Sequence, residues 1–234
     1  MDNDNTMNTK ENHHGRSRRA FTLIEMLTVI SIMAIVAALV VTMGQAAAQK
    51  KKITAVNGEK AKLITLIANY QAKLNYYPPD NGALATNTAI FSNYDALAAT
   101  NPLIYELCGA SNLNNGASLF VFNSSNSDSL LPASTYSNIF NRGGVANGDA
   151  VEPHNFFQPG PLPKEYSTYA AASGGNPAVC GLVVPADLYP NQTNFWHYDS
   201  SSTNRHNMGS YDLWAEFAIG SKNGQLTIIT NGNW

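Results

Sequence analysis

Cysteine is scarce in these 234 residues: only Cys108 and Cys180 occur, and no C-x-x-C spacing exists for a zinc or thioredoxin-like site. Charge is sparse too, at 13% of residues, and unevenly divided. Residues 1–74 carry ten Lys/Arg against five acids, residues 75–234 only four against eleven. The acidic C-terminal part repels phosphate backbones, which argues against nucleic-acid binding. G-x-S-x-G, H-E-x-x-H, the P-loop and G-x-G-x-x-G are all missing. His197, Asp199 and His206 form the one tempting cluster, but their spacing matches no metal motif, and such residues beside Trp196 and Tyr198 are usually turn or packing residues. The expectation is a protein that is not an enzyme and takes no cofactor.

What is present begins with a long apolar run. Residues 21–43, FTLIEMLTVISIMAIVAALVVTM, carry one charge, Glu25. Residues 21–41 as a helix reach roughly 31 Å, the thickness of a bilayer core. A cleaved secretory signal is the competitor, with Ala46-Ala47-Ala48 as its cutting site, but its apolar core should be shorter and the cut would discard Glu25. Arg16, Arg18 and Arg19 before the run point to a cytoplasmic N-terminal flank, although Lys50, Lys51 and Lys52 beyond it nearly balance the count.

The basic leader ending Arg18-Arg19-Ala20, then Phe21-Thr22-Leu23-Ile24-Glu25 and the apolar run, resembles the type IV prepilin signature. The resemblance implies cleavage between Ala20 and Phe21 by a membrane prepilin peptidase, with methylation of the new Phe21 amine. Ala20 departs from the usual Gly at that position. A carboxylate near hydrocarbon costs roughly 2.5–3.5 kcal/mol at the centre of a span unless neutralised. In the family, the glutamate of an incoming subunit meets its neighbour's N-terminal amine, which would make Glu25 the assembly residue. The bland alternative is that Glu25 serves only its own helix start.

Beyond Gly44 the pattern stays helical, with Ile53, Val56, Leu63, Ile64, Ile67, Tyr70 and Leu74 recurring at three- and four-residue steps. Pro78-Pro79 is expected to end a helix of about 54 residues, roughly 80 Å long, whose first half would stand clear of a small head. Asn57-Gly58 is its expected weak point, and Lys50 to Lys52 are read as a solvated or headgroup-facing collar. The organisation is then a cytoplasmic leader 1–20, a transmembrane helix 21–43, an amphipathic continuation 44–77 and an α+β head 78–234.

Within the head, Ser118–Phe122 and Val179–Val184 are short apolar runs, while Asn123–Ser129 and Asn141–Asp149 read as exposed loops. Tyr211, Leu213, Ala215, Phe217 and Ile219 alternate with Asp212, Trp214, Glu216 and Ala218, as in a strand with one buried face, which places Asp212 on the surface. Asn223-Gly224 favours a tight turn, so a hairpin over 211–230 is expected. An antiparallel sheet packed on the long helix is the pilin-like α+β roll.

Tyr211-Asp212-Leu213-Trp214, the terminal Asn233-Trp234 and Tyr76-Tyr77-Pro78-Pro79 resemble the major pseudopilins of type II secretion systems. Those carry a calcium site built with aspartates in the final loop; here Gly220 to Trp234 hold no acid, so no metal is expected. The resemblance implies a pseudopilus subunit in the inner membrane with a periplasmic head, helping to move proteins across the outer membrane. Its partners would be copies of itself and related pseudopilins, the peptidase, and an inner-membrane assembly platform with its ATPase. In an oxidising compartment Cys108 and Cys180 are able to pair; two buried free thiols are the alternative. Rival readings are a minor or adhesive pilin and a single-pass anchored periplasmic domain that never polymerises.

Overall fold

The computed structural model describes residues 21–80, 101–113, 118–121, 130–132, 136, 140, 145–148, 153–157, 164–169, 179–190 and 192–234. The chain divides into two compact units, Met1–Ala46 and Ala47–Trp234. Helix α1 runs Leu23–Leu74, 52 residues, and is continuous through Asn57-Gly58. Asn75, not the proline pair, ends it: its φ of 65° is left-handed, and its N–H donates to Gln71 O at 2.8 Å. Asparagine tolerates that conformation at a helix end because its short polar side chain hydrogen-bonds locally. Pro78-Pro79 then only bars re-entry.

In the second unit one stripe of α1 enters the core. Val56, Leu63, Ile67 and Tyr70 are fully buried and Ile53, Ile64 and Leu74 partly so, on the face that the three- and four-residue spacing picks out. Three lysines flanking this stripe, Lys52, Lys60 and Lys62, reach polar groups elsewhere in the unit. Lys52 Nζ donates to Ala218 O at 2.9 Å, Lys60 Nζ to Gly232 O at 2.6 Å and to Asn231 Oδ1, and Lys62 Nζ to Glu165 Oε1 at 2.6 Å. Lys52 is therefore not part of a solvated collar; its alkyl stem lies along the protein while its ammonium finds a carbonyl. Lys50 and Lys51 are exposed.

Among the described residues the rest of the unit includes antiparallel strands and a short helix, α2 (Leu103–Cys108), whose six residues are all buried. Strands β1 (Ala110–Leu113), β2 (Ser118–Val121) and β3 (Leu130–Pro132) form a meander. Strands β4 (Tyr166–Tyr169) and β5 (Val179–Leu182) form a pair. The C-terminal sheet has the order β6-β7-β8, from His197–Asp199, Asp212–Lys222 and Gln225–Gly232. This is the α+β arrangement of a long N-terminal apolar helix with C-terminal antiparallel sheets. The β7–β8 turn is Asn223-Gly224, with φ of 53° and 77° at its two central residues, the mirror-image turn whose twist suits a hairpin.

On β7, Leu213, Ala215 and Phe217 are fully buried, as alternation requires. A register shift between Ala218 and Gly220 breaks the period, and Ala218 is buried as well. Asp212 corrects the expectation of a surface position: it is 3% exposed, because its carboxylate receives the turn that precedes the strand. The expected exposed loop over 141–149 also needs correction at its centre. Val145 and Asn147 are buried, since Asn147 Nδ2 donates to Glu106 O and His154 O at 2.6 and 2.7 Å. The expected loop over 123–129 lies outside the described residues.

Candidate assembly site

The first turn of α1 is closed by a reciprocal pair. Thr22 N–H and Oγ1–H donate to Glu25 Oε2 at 2.8 and 2.9 Å, and Glu25 N–H reaches back to Thr22 Oγ1 at 3.3 Å. A helix leaves its first N–H groups without intrahelical partners; a Thr with a Glu three residues on satisfies two of them at once. The T-x-x-E spacing was visible in the sequence and is the signal by which Thr22 could have been named beside Glu25. Glu25 is thereby held at the helix start, where the macrodipole favours a negative charge.

Around this polar turn everything is apolar and open. Phe21 is 74% exposed, and Leu23, Ile24, Met26, Leu27, Ile30, Leu39 and Met43 are among the exposed large hydrophobics of this stretch. Thr28 Oγ1 and Ser31 Oγ donate to the carbonyls of Glu25 and Leu27 at 2.9 and 2.7 Å, so the hydroxyls are consumed by their own helix. By length and composition α1 is able to cross a membrane. Ala20, the residue before the expected cut, lies outside the described residues.

Among the described residues from 78 onward there is no comparable constellation. His197 is buried and stacks on Trp214 with centroids 4.8 Å apart; Asp199 Oδ1 accepts the N–H groups of Ser201 and Ser202. His206 stacks on Trp234 at 4.0 Å, its Nδ1 3.2 Å from Asp212 Oδ2. The three residues thus serve different partners. Among the described residues no group of three His, Cys, Asp or Glu is placed to hold a metal. The buried acids have structural tasks: Glu106 accepts Tyr70 Oη–H and two backbone N–H groups, and Asp80 accepts those of Ser200 and Ser201. Cys108 and Cys180 are both buried.

Comparison with known families gives one match, to the prokaryotic N-terminal methylation motif, over residues 15–41. No curated protein and no solved structure matches the chain. The match spans Phe21, the Thr22–Glu25 turn and most of the apolar run, and it supports a prepilin-like protein of the type IV kind. With the apolar helix it fits a membrane-anchored chain processed by a prepilin peptidase.

Proposed function

We propose that this chain is a structural subunit of a pseudopilus of the type II secretion kind, not an enzyme. The carrying observation is a carboxylate, Glu25, fixed at the start of an exposed apolar stretch of α1 inside a methylation-motif match. In this reading residues 1–20 are a cytoplasmic leader removed between Ala20 and Phe21. Residues 21–43 span the inner membrane, and the head from residue 78 lies in the periplasm. Prepilin peptidase creates and methylates the Phe21 amine; an inner-membrane platform and its ATPase then extract the subunit into the filament with copies of itself and related pseudopilins.

In this reading Glu25 has two states. Before assembly, Oε2 is occupied by Thr22, which lowers the cost of holding a carboxylate at the edge of the bilayer. The cleaved, methylated amine of a neighbouring Phe21 stays cationic and offers an ion pair in a water-poor environment, where such a pair is strong. The apolar surface from Leu23 to Met43 exchanges lipid for other helices, and the Glu25–amine contact fixes the axial step.

The test is the intact mass and N-terminal sequence of the membrane-extracted protein, made with and without its prepilin peptidase. A methylated Phe21 start that depends on the peptidase is the expected result. An uncut chain, or one starting after Ala48, rejects the filament reading. A surface pilus with a ligand-binding head is the second reading, favoured by the exposed Tyr76, Tyr189 and Trp234. Filaments that extend beyond the outer membrane at native expression, together with secretion unaffected by loss of the chain, would select it.

A further inference from the structure

The chain's two cysteines, far apart in sequence, both lie in the core of the second unit. Cys108 closes α2, Cys180 lies in β5, and α2 packs against β5. Both are buried, at 4% and 1% exposure. Tyr105, three positions before Cys108 on α2, ties the two elements together: its Oη accepts the Cys180 N–H at 2.8 Å. Burial raises the Cys108 thiol well above its usual range, and the neighbouring Cys180 raises it further.

We propose that Cys108 and Cys180 form an intramolecular disulfide in the mature chain, a modification site that staples α2 to β5. The inference rests on the reading that the head lies outside the cytoplasm, where disulfides persist. The two thiols give up two protons and two electrons as the S–S bond forms. The electrons reduce the disulfide of an external protein oxidant, which leaves as a dithiol. Exchange passes through a mixed disulfide and needs a thiolate within the oxidant's reach, so the bond forms while the head is folding, before α2 is covered. The closed loop is about 70 residues, long enough for the cross-link to restrict the unfolded chain substantially.

The test uses the full chain, made with its peptidase and extracted from membranes in the presence of an alkylating agent. Intact mass of the unfolded protein should show no adduct, then two adducts when reductant precedes alkylation. Reductant should lower Tm by roughly 5–15 °C, and the Cys108→Ala/Cys180→Ala variant should not respond to it. Alkylated thiols in the unreduced extract overturn the proposal. A second arm unfolds the purified chain in reductant and refolds it with glutathione disulfide. Closure there, with thiols in the extract, rejects the bond in the cell and traces the failure to the compartment. Failure in both arms rejects the geometry itself. The Phe21 mass reports on the filament reading independently of either.

Discussion

Thr22 and Glu25 cap each other: one carboxylate oxygen takes both the N–H and the hydroxyl of Thr22, whose oxygen receives Glu25 N–H in return. In the proposed filament, helix capping and subunit pairing draw on the same side chain, and substitutions separate the two roles. Glu25→Gln keeps an acceptor for the cap but has no charge for a neighbour's amine. It should be inserted and cut normally, while the yield of sheared filaments falls about tenfold or more, the equivalent of losing one well-placed ion pair. Thr22→Val removes the hydroxyl and leaves the charge, and should lower filament yield only a few-fold. N-terminal mass and filament yield, measured on the same cells, check both.

Tyr70 joins the helix to the head through Glu106. The carboxylate, buried completely, accepts Tyr70 Oη–H at 3.0 Å, Ala146 N–H at 2.9 Å and Asn147 N–H at 3.1 Å. Tyr70→Phe removes one donor to a buried charge and should cost about 1.5–3 kcal/mol in urea unfolding. Glu106→Ala orphans a phenol and two amides together and should exceed 3 kcal/mol, with the turn at residues 145–148 losing amide protection first.

The parts legible in the sequence were those in which a single period or motif dominates. The methylation motif, the apolar run, the buried stripe through Val56, Leu63, Ile67 and Tyr70, and the Asn223-Gly224 turn all depend on neighbours close in sequence. What escaped were tertiary uses of polar side chains. Asp212 alternates with Leu213 and so reads as a surface position, yet the turn at His206-Asn207 needed an acceptor and the carboxylate went inward. Lys52 reads as solvated until the carbonyl of Ala218 is placed beside it. Asn75 was outranked by two conspicuous prolines, although a left-handed asparagine stops a helix just as well.

The last residues of the chain clasp the loop before β7. Asn233 Oδ1 accepts Leu213 N–H and Asn207 Nδ2–H, its Nδ2 donates to Tyr211 O, and the Trp234 ring lies flat on His206. That ring sits so close to Gly232 that an added Cβ would fall 2.6–2.7 Å from three of its carbons. Gly232→Ala should swing the half-exposed ring off His206, at a cost of about 1 kcal/mol, and shift the tryptophan emission to the red. Asn233→Ala leaves backbone groups of Tyr211 and Leu213 short of partners and should cost about 1–3 kcal/mol. An Asn233→Ala variant as stable as the parent would mean that solvent already satisfies those groups.

Two carboxylates should move stability with pH in opposite directions. Burial raises the pKa of Glu59, the nearby Glu165 raises it further, and Lys62 and Lys164 offset only part of this. A folded-state pKa above the unfolded one means that the charged form costs stability. That cost is present above the raised value and disappears as pH falls towards 4.5, the ordinary value. Glu59→Gln should therefore stabilise the protein at pH 7, by up to about 1 kcal/mol, with the gain vanishing in acid. For Asp212, burial pushes upward but is outweighed by the His206 and Asn207 N–H groups and the His206 ring, so its pKa lies below the ordinary 3.8. Its stabilisation is present above that ordinary value and lost as pH falls through the depressed one. Asp212→Asn should destabilise at pH 7, and the deficit should shrink only at a lower pH than the one at which the Glu59→Gln gain fades. Thermal melts of the two variants and the parent between pH 3 and pH 7 would reveal both trends; a Glu59→Gln protein less stable than the parent at pH 7 would mean that Lys62 and Lys164, not burial, govern that carboxylate.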